Sequence, residues 1–327
     1  MTSTISHAIR VDECGGPEVL KWEALEIPPP GAGEVLVRNR AIGLNFIDVY
    51  YRTGQYKSPL PLIPGNEGAG VIEALGPGVH EFAVGDPVAY ADPTGAYAER
   101  LLRPASRLVR IPEGIDMAQA AAVLLKGMTA EYLLHRTHRV ESGETILVHA
   151  AAGGLGQILC QWARSLGATV IGTVGSRHKA SLAETAGCAH VIVTDEGDFS
   201  TAVRRITSGR GVRVVYDGVG AATFRGSLDC LEPRGLMVSL GASSGPLPPL
   251  NPVALLSKGS LFFTRPGLAH YTATTAELRQ SAEALFSAVL GGKVTPKVSR
   301  TYPLRDASAA HADLEARRLT GSTVLQT

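Results

Sequence analysis

The segment with the most definite chemistry runs from Ile146 to Gly156. There the apolar stretch Ile146-Leu147-Val148 gives way to His149-Ala150-Ala151-Ala152-Gly153-Gly154-Leu155-Gly156. Beyond the glycines, Leu155, Ile158, Leu159, Trp162, Ala163 and Leu166 recur at helical spacing, and Gly167 stands where a helix-ending glycine belongs. The predicted order is strand, glycine-rich turn, helix. A helix N-terminus presents unpaired N–H groups and partial positive charge, and glycine leaves the backbone bare. A pyrophosphate can therefore rest on the turn at Ala152, Gly153, Gly154 and Leu155. Against the Gly-x-Gly-x-x-Gly template of dinucleotide sites, Ala151 takes the first glycine's place, while Gly153 and Gly156 keep the second and third.

Which dinucleotide is decided at the end of the next strand, where NAD sites carry an acid about 20 residues past the turn to hold the ribose 2′-hydroxyl. The stretch Ile171-Gly172-Thr173-Val174-Gly175-Ser176-Arg177-His178-Lys179 has no acid. Ser176, Arg177 and Lys179 instead offer donors to a 2′-phosphate, which points to NADPH. A metal is not expected. Catalytic zinc takes about three Cys, His or acidic ligands, yet neither Gly43-Leu44-Asn45-Phe46-Ile47-Asp48-Val49-Tyr50, read here as the end of an early helix, nor Pro64-Gly65-Asn66-Glu67-Gly68-Ala69-Gly70 holds Cys or His. The four cysteines, Cys14, Cys160, Cys188 and Cys230, form no CxxC pair.

The elements that must position these residues fall into two styles. Residues from about 5 to 110 alternate short apolar runs with turns such as Pro28-Pro29-Pro30-Gly31, the pattern of a β-rich, barrel-like domain. From Glu144 onward, strands predicted at 145–149, 169–174, 190–193, 212–216, 236–240 and 260–264 alternate with helical segments, as in a parallel sheet of six strands. After Arg265-Pro266-Gly267 the pattern lapses; a helix follows at 275–290, and a closing strand at 321–325 is expected to rejoin the first domain. The boundaries read are 1–126, 127–264 and 265–327. With 327 residues there is chain enough for two cores, and 31 Lys plus Arg against 30 Asp plus Glu gives no footprint for nucleic acid. The N-terminus lacks the pattern of a signal peptide and no apolar run reaches membrane-spanning length, so a cytoplasmic protein is expected.

Together with Leu125-Lys126-Gly127-Met128-Thr129-Ala130, Val215-Tyr216-Asp217-Gly218-Val219-Gly220 and Arg265-Pro266, these segments resemble the zinc-free, zeta-crystallin-like NADPH:quinone oxidoreductase branch of the medium-chain dehydrogenase/reductase superfamily. The resemblance covers essentially the whole chain. It implies an α/β fold in which a GroES-like β-rich catalytic domain is joined to a six-stranded parallel Rossmann dinucleotide-binding domain, and a homodimer formed through the cofactor domains. It implies that Ser176, Lys179 and Arg317 serve the adenosine phosphate end of NADPH, that Asn45 and Thr129 lie near the nicotinamide, and that Ser243 and Thr264 also contact the cofactor. Asn45 and Asn66 stand where zinc-dependent relatives carry Cys and His. The sequence departs from the family where Thr194 replaces a common Tyr and Ala242 a common Asn.

Hydride transfer to a quinone leaves a hydroquinone anion, so the site needs geometry and a hydrogen-bond donor. Asn45, Tyr50, Tyr56 and Lys126 are the candidates. The tyrosines also read as ordinary aromatic packing, and Asp48 and Glu67 as buried hydrogen-bonding residues. Reduction of an alkenal or enone double bond would use the same parts. So would a structural or RNA-binding role on the same fold, with Arg204, Arg205, Arg210 and Arg213 as its basic face. Nothing in the sequence supports a Ser-His-Asp hydrolase.

Overall fold

Glu34–Leu44 is an eleven-residue strand in which Val35, Val37 and Ile42 are wholly buried, and it organises the β-rich part of the chain. Glu67–Leu75, Arg100–Pro104 and Ser322–Gln326 all pair with it antiparallel. Pro87–Ala91, Val109–Arg110 and Val298–Pro303 extend the sheet to seven strands. Ile9, Ile72, Tyr90, Tyr97, Leu108 and Leu325 fill the core beneath it. The computed structural model describes residues 3–327. It divides them into two compact units. One comprises residues up to Lys126 with Thr272–Leu290 and Pro296–Thr327; the other is Gly127–Tyr271 with Gly291–Thr295.

The second unit is a parallel sheet of six strands in the order His190–Val193, Thr169–Val174, Thr145–Val148, Val212–Asp217, Leu231–Ser239, Phe262–Thr264. Numbered by position in the sheet's own sequence this is 3-2-1-4-5-6, the Rossmann order. A helix occupies each crossover: Gly154–Ser165, Ala180–Thr185, Phe199–Ile206, Phe224–Cys230 and Pro252–Ser257. Because helices cover both faces, the central strands are apolar runs rather than alternating ones, and Ile146, Leu147, Val214 and Val215 are all at 0 % exposure. The fifth strand starts earlier than its apolar stretch predicts, at Leu231, with a register shift against Val212–Asp217.

Two local corrections bear on the site. Gly43 and Leu44 end a strand and not a helix; the helix starts after them, at Phe46–Arg52, with Asn45 as its N-cap. Gly43 is needed there because a Cβ would fall 2.2 Å from Glu67 Oε1 and 2.3 Å from the Ala121 carbonyl oxygen. Two of the four arginines read as a basic face are engaged with backbone carbonyls. Arg204 turns its guanidinium onto the carbonyls of Asp229, Gly209, Arg210 and Leu231, and Arg213 reaches the Arg234 carbonyl.

Candidate functional site

In the parallel-sheet unit, the chain leaves Thr145–Val148 through His149 and turns at Ala150, whose φ of +52° is left-handed. The turn is tied down by its own backbone. Ala151 N–H donates to the Thr173 carbonyl at 2.9 Å and Gly153 N–H to the Ala150 carbonyl at 2.8 Å. Gly153 is then the N-cap of Gly154–Ser165, and no side chain caps it. The first amides of that twelve-residue helix have no preceding carbonyl to bond, and glycine at its first position keeps side-chain bulk away from them. Gly156 has a different duty. A Cβ there would lie 2.3 Å from the Ala150 oxygen and 2.8 Å from Ala151 Cα, so it lets the helix start directly against the strand.

Beyond the second strand, Ser176 precedes a short turn at Arg177–Lys179. The Ser176 hydroxyl lies 3.1 Å from His178 Nδ1. Arg177 is drawn aside: its guanidinium forms a two-point pair with Glu196, including a 3.0 Å bond from Nε to Oε1. Ser176, His178 and Lys179 are the other polar side chains of the turn. Thr194 bonds back to the Val174 carbonyl at 3.3 Å. Ser243 lies in the loop after the fifth strand, where Ser243 N–H reaches the Gly218 carbonyl at 3.4 Å. Thr264 is the last residue of the sixth strand and Thr129 is nearly buried on Met117–Tyr132, hydrogen-bonded to Tyr132.

In the β-rich unit, Asn45 is the centre of a buried polar cluster. Its Nδ2 donates to Glu67 Oε1 at 2.8 Å and to the Gly43 carbonyl at 3.3 Å. Both partners only accept, so the orientation of the amide is fixed and what Asn45 still offers is its oxygen. Lys126 Nζ donates to the same Glu67 oxygen at 2.7 Å, and Leu125 N–H holds the other at 2.8 Å. Glu67 is at 0 % exposure and Lys126 at 7 %. A buried pair of this kind tolerates loss of one partner badly, at about 3 to 5 kcal/mol.

Asp48, three positions into the helix that Asn45 caps, accepts from Asn45 N–H at 2.9 Å, Asn66 Nδ2 at 2.5 Å and the Tyr97 hydroxyl at 2.9 Å. Burial pushes its carboxyl up to about 6 despite those donors. Tyr97 also meets His311 Nε2 at 3.0 Å, and His311 Nδ1 meets Arg52 Nη1 at 3.1 Å. A guanidinium only donates, so Nδ1 accepts and Nε2 carries the proton. Burial first, then the Arg52 charge, hold that imidazole down at about 3. Arg52, 1 % exposed, completes its bonding with two 2.8 Å bonds to Glu315. Tyr50 and Tyr56 meet at a tilt with centroids 5.2 Å apart, alongside Phe46 and Tyr51, as an aromatic group on one helix and the turn after it. Arg317 follows Ala307–Glu315 with a left-handed φ of +57°. Asp48, Tyr97 and His311 were not among the sequence's candidate site residues; only the pattern around Asp48 hinted at burial. Among the described residues no three His, Cys, Asp or Glu side chains gather as a metal-binding group.

Residues 31–142 match the domain family described as alcohol dehydrogenase GroES-like domain, and residues 154–285 the family described as zinc-binding dehydrogenase. The chain is 50 % identical over 313 residues to a quinone oxidoreductase of Pseudomonas aeruginosa, covering 95 % of this chain and 96 % of that one. It is 46 % identical over 320 residues to a 2-haloacrylate reductase of a Burkholderia species, with 95 % and 96 % covered. Its fold superimposes with a TM-score of 0.96 on the crystal structure of an Escherichia coli quinone oxidoreductase complexed with NADPH, at 45 % identity, over 98 % of this chain and 100 % of that one.

Proposed function

Because the chain belongs to the quinone oxidoreductase family of the medium-chain dehydrogenase/reductase superfamily, we propose that it transfers a hydride from NADPH to a small quinone. The observation that carries this reading is the uncapped helix start at Gly153 and Gly154 on a sheet of Rossmann order, followed by a second strand whose end bears Ser176 and Lys179 in place of an acid. When bound, NADPH supplies the hydride.

The chain's own residues bind and orient. Turn amides from Ala152 to Leu155 take the pyrophosphate, and Ser176, Lys179 and Arg317 take the 2′-phosphate, with Thr129, Ser243 and Thr264 along the remainder. Asn45, its amide hydrogens already engaged, is assigned as the acceptor for an N–H donor such as a carboxamide, and Glu67 keeps it so turned. The hydroquinone oxygen needs the opposite: donors and positive charge. Those are the Lys126 ammonium, one of whose three N–H groups is on Glu67, and the hydroxyls of Tyr50 and Tyr56.

The assembly proposed is a homodimer through the parallel-sheet unit. Phe262–Thr264 ends that sheet, and Phe262, Val253 and Leu256 are 61 %, 64 % and 69 % exposed. No helix among the described residues is long and apolar enough to cross a membrane; the cytoplasm is the compartment that four free thiols suit.

The likeness to a 2-haloacrylate reductase favours a second reading, reduction of an activated carbon–carbon double bond. Both are tested by following NADPH oxidation with benzoquinones and naphthoquinones beside 2-chloroacrylate and alkenals. Turnover of quinones above all others supports the first reading. Turnover confined to the alkenes replaces it with the second, and none at all removes both.

A further inference from the structure

Where the strand order reverses, Thr145–Val148 and Val212–Asp217 lie side by side, and ligands of such sheets bind outside the carboxyl ends of those two strands. His149 directly follows the first and Asp217 ends the second, with exposures of 4 % and 1 %. Ser227, on Phe224–Cys230 and at 0 % exposure, stands between them. His149 Nε2 is 2.9 Å from Ser227 Oγ, and the Ser227 hydroxyl donates to Asp217 Oδ2 at 2.8 Å. On the ring's other side Nδ1 is 2.8 Å from Thr173 Oγ1.

The protons follow by elimination. Asp217 accepts on every side: it takes the hydroxyls of Ser227 and Thr223, the latter at 2.7 Å, and the amides of Val219 and Gly220 at 2.8 and 3.1 Å. Ser227 has thereby used its only hydrogen, so it accepts from His149 Nε2–H, and Nδ1 accepts from Thr173. The imidazole is neutral, in keeping with burial that holds its proton affinity below the usual value.

Each end of this buried chain holds backbone at the crevice. Thr173, which bonds the ring through its hydroxyl, receives Ala151 N–H on its carbonyl, at the start of the phosphate-binding turn. Asp217 holds the Val219 and Gly220 amides, and the Ser244 hydroxyl secures the same loop by donating to the Val219 carbonyl at 2.8 Å. The imidazole thus ties the turn after the first strand to the loop after the fourth.

We propose that His149, with Ser227 and Asp217, is a positioning set that fixes the phosphate-binding turn against the Val219–Gly220 loop and so sets the affinity for the dinucleotide. The inference rests on the NADPH reading above. None of the three residues takes part in the chemistry, so the effect falls on cofactor binding and leaves the turnover number alone.

The test is NADPH titration by fluorescence together with separate KM values for NADPH and quinone. His149→Leu and Ser227→Ala should each raise the NADPH dissociation constant and KM about tenfold, the effect of one well-formed hydrogen bond, with kcat and the quinone KM within about twofold of the parent. His149→Gln, whose carboxamide keeps one donor and one acceptor at a separation like that of the ring nitrogens, should recover most of the affinity. If removing the ring costs folding, Ser227→Ala deletes a single hydroxyl and gives the same readout. Variants that melt earlier yet bind NADPH as the parent does would reduce the network to packing and overturn the proposal. An unaltered protein that binds no NADPH would instead bring down the dinucleotide reading itself.

Discussion

With both amide hydrogens of Asn45 on acceptors, its neighbours decide what the residue can do. The sequence counts it among hydrogen-bond donors; the structure turns it into an acceptor held by a carboxylate. Arg177 shows the same principle, since its pairing with Glu196 draws its guanidinium aside. Lys179→Ala should therefore weaken NADPH far more than NADH, because a charge-assisted contact is worth about 1.5 to 3 kcal/mol, and Arg317→Ala should act in the same direction. Steady-state KM values for the two cofactors measure this; equal losses for both would show that neither side chain reads the 2′-phosphate. Gly154→Val sets a branched side chain at the first position of the uncapped helix proposed to receive the phosphate. Cofactor titration beside thermal unfolding should show binding lost and folding kept. A folded variant with parental affinity would mean that this turn is not the cradle.

Among the elements, Phe46–Arg52 and Ala307–Glu315 are joined through Arg52, His311, Tyr97 and Asp48. The join makes a prediction about acid. Asp48 has its folded value raised from 3.8 to about 6, so protonation favours the folded state as pH falls through that window. His311 is lowered from 6.5 to about 3, so it takes up its proton first in the unfolded chain and stability is lost over much of the same range. The two oppose each other in the parent. Relative to it, Asp48→Asn should lose stability between about pH 6 and 4, and His311→Gln should gain it. Urea unfolding across that range decides, and parallel curves for all three proteins would refute the assignment. Of this join only Asp48, read as a buried hydrogen-bonding residue, was legible in the sequence, because residues so far apart in the chain leave no periodic signal. What was legible lay in local patterns: the helix at 275–290, read from its period, is observed as Thr275–Leu290, and the six parallel strands stood out as apolar runs between turns. The stretch before Asn45 misled because Ala41-Ile42-Gly43-Leu44 is apolar throughout and carries neither period cleanly.

For the molecule as a whole, the exposed edge at Phe262 predicts an assembly sensitive to a single charge. Phe262→Lys should convert a dimer to a monomer in light scattering, with the melting temperature of the dilute protein little changed, since the side chain is 61 % exposed in the single chain. A parent that is already monomeric would dispose of the interface. One further consequence lies in the route of the chain. Ser322–Gln326 sits between Glu34–Leu44 and Val298–Pro303, inside the seven-stranded sheet and not at its rim. During synthesis the Ala41–Leu44 end of the early strand must therefore wait, unpaired on that flank, until almost everything after it has been made, while the parallel-sheet unit is nearly contiguous from Gly127 to Tyr271 and can condense first. Until Ser322–Gln326 is made the β-rich unit lacks an interior strand, and that interval is when the chain is most exposed to aggregation.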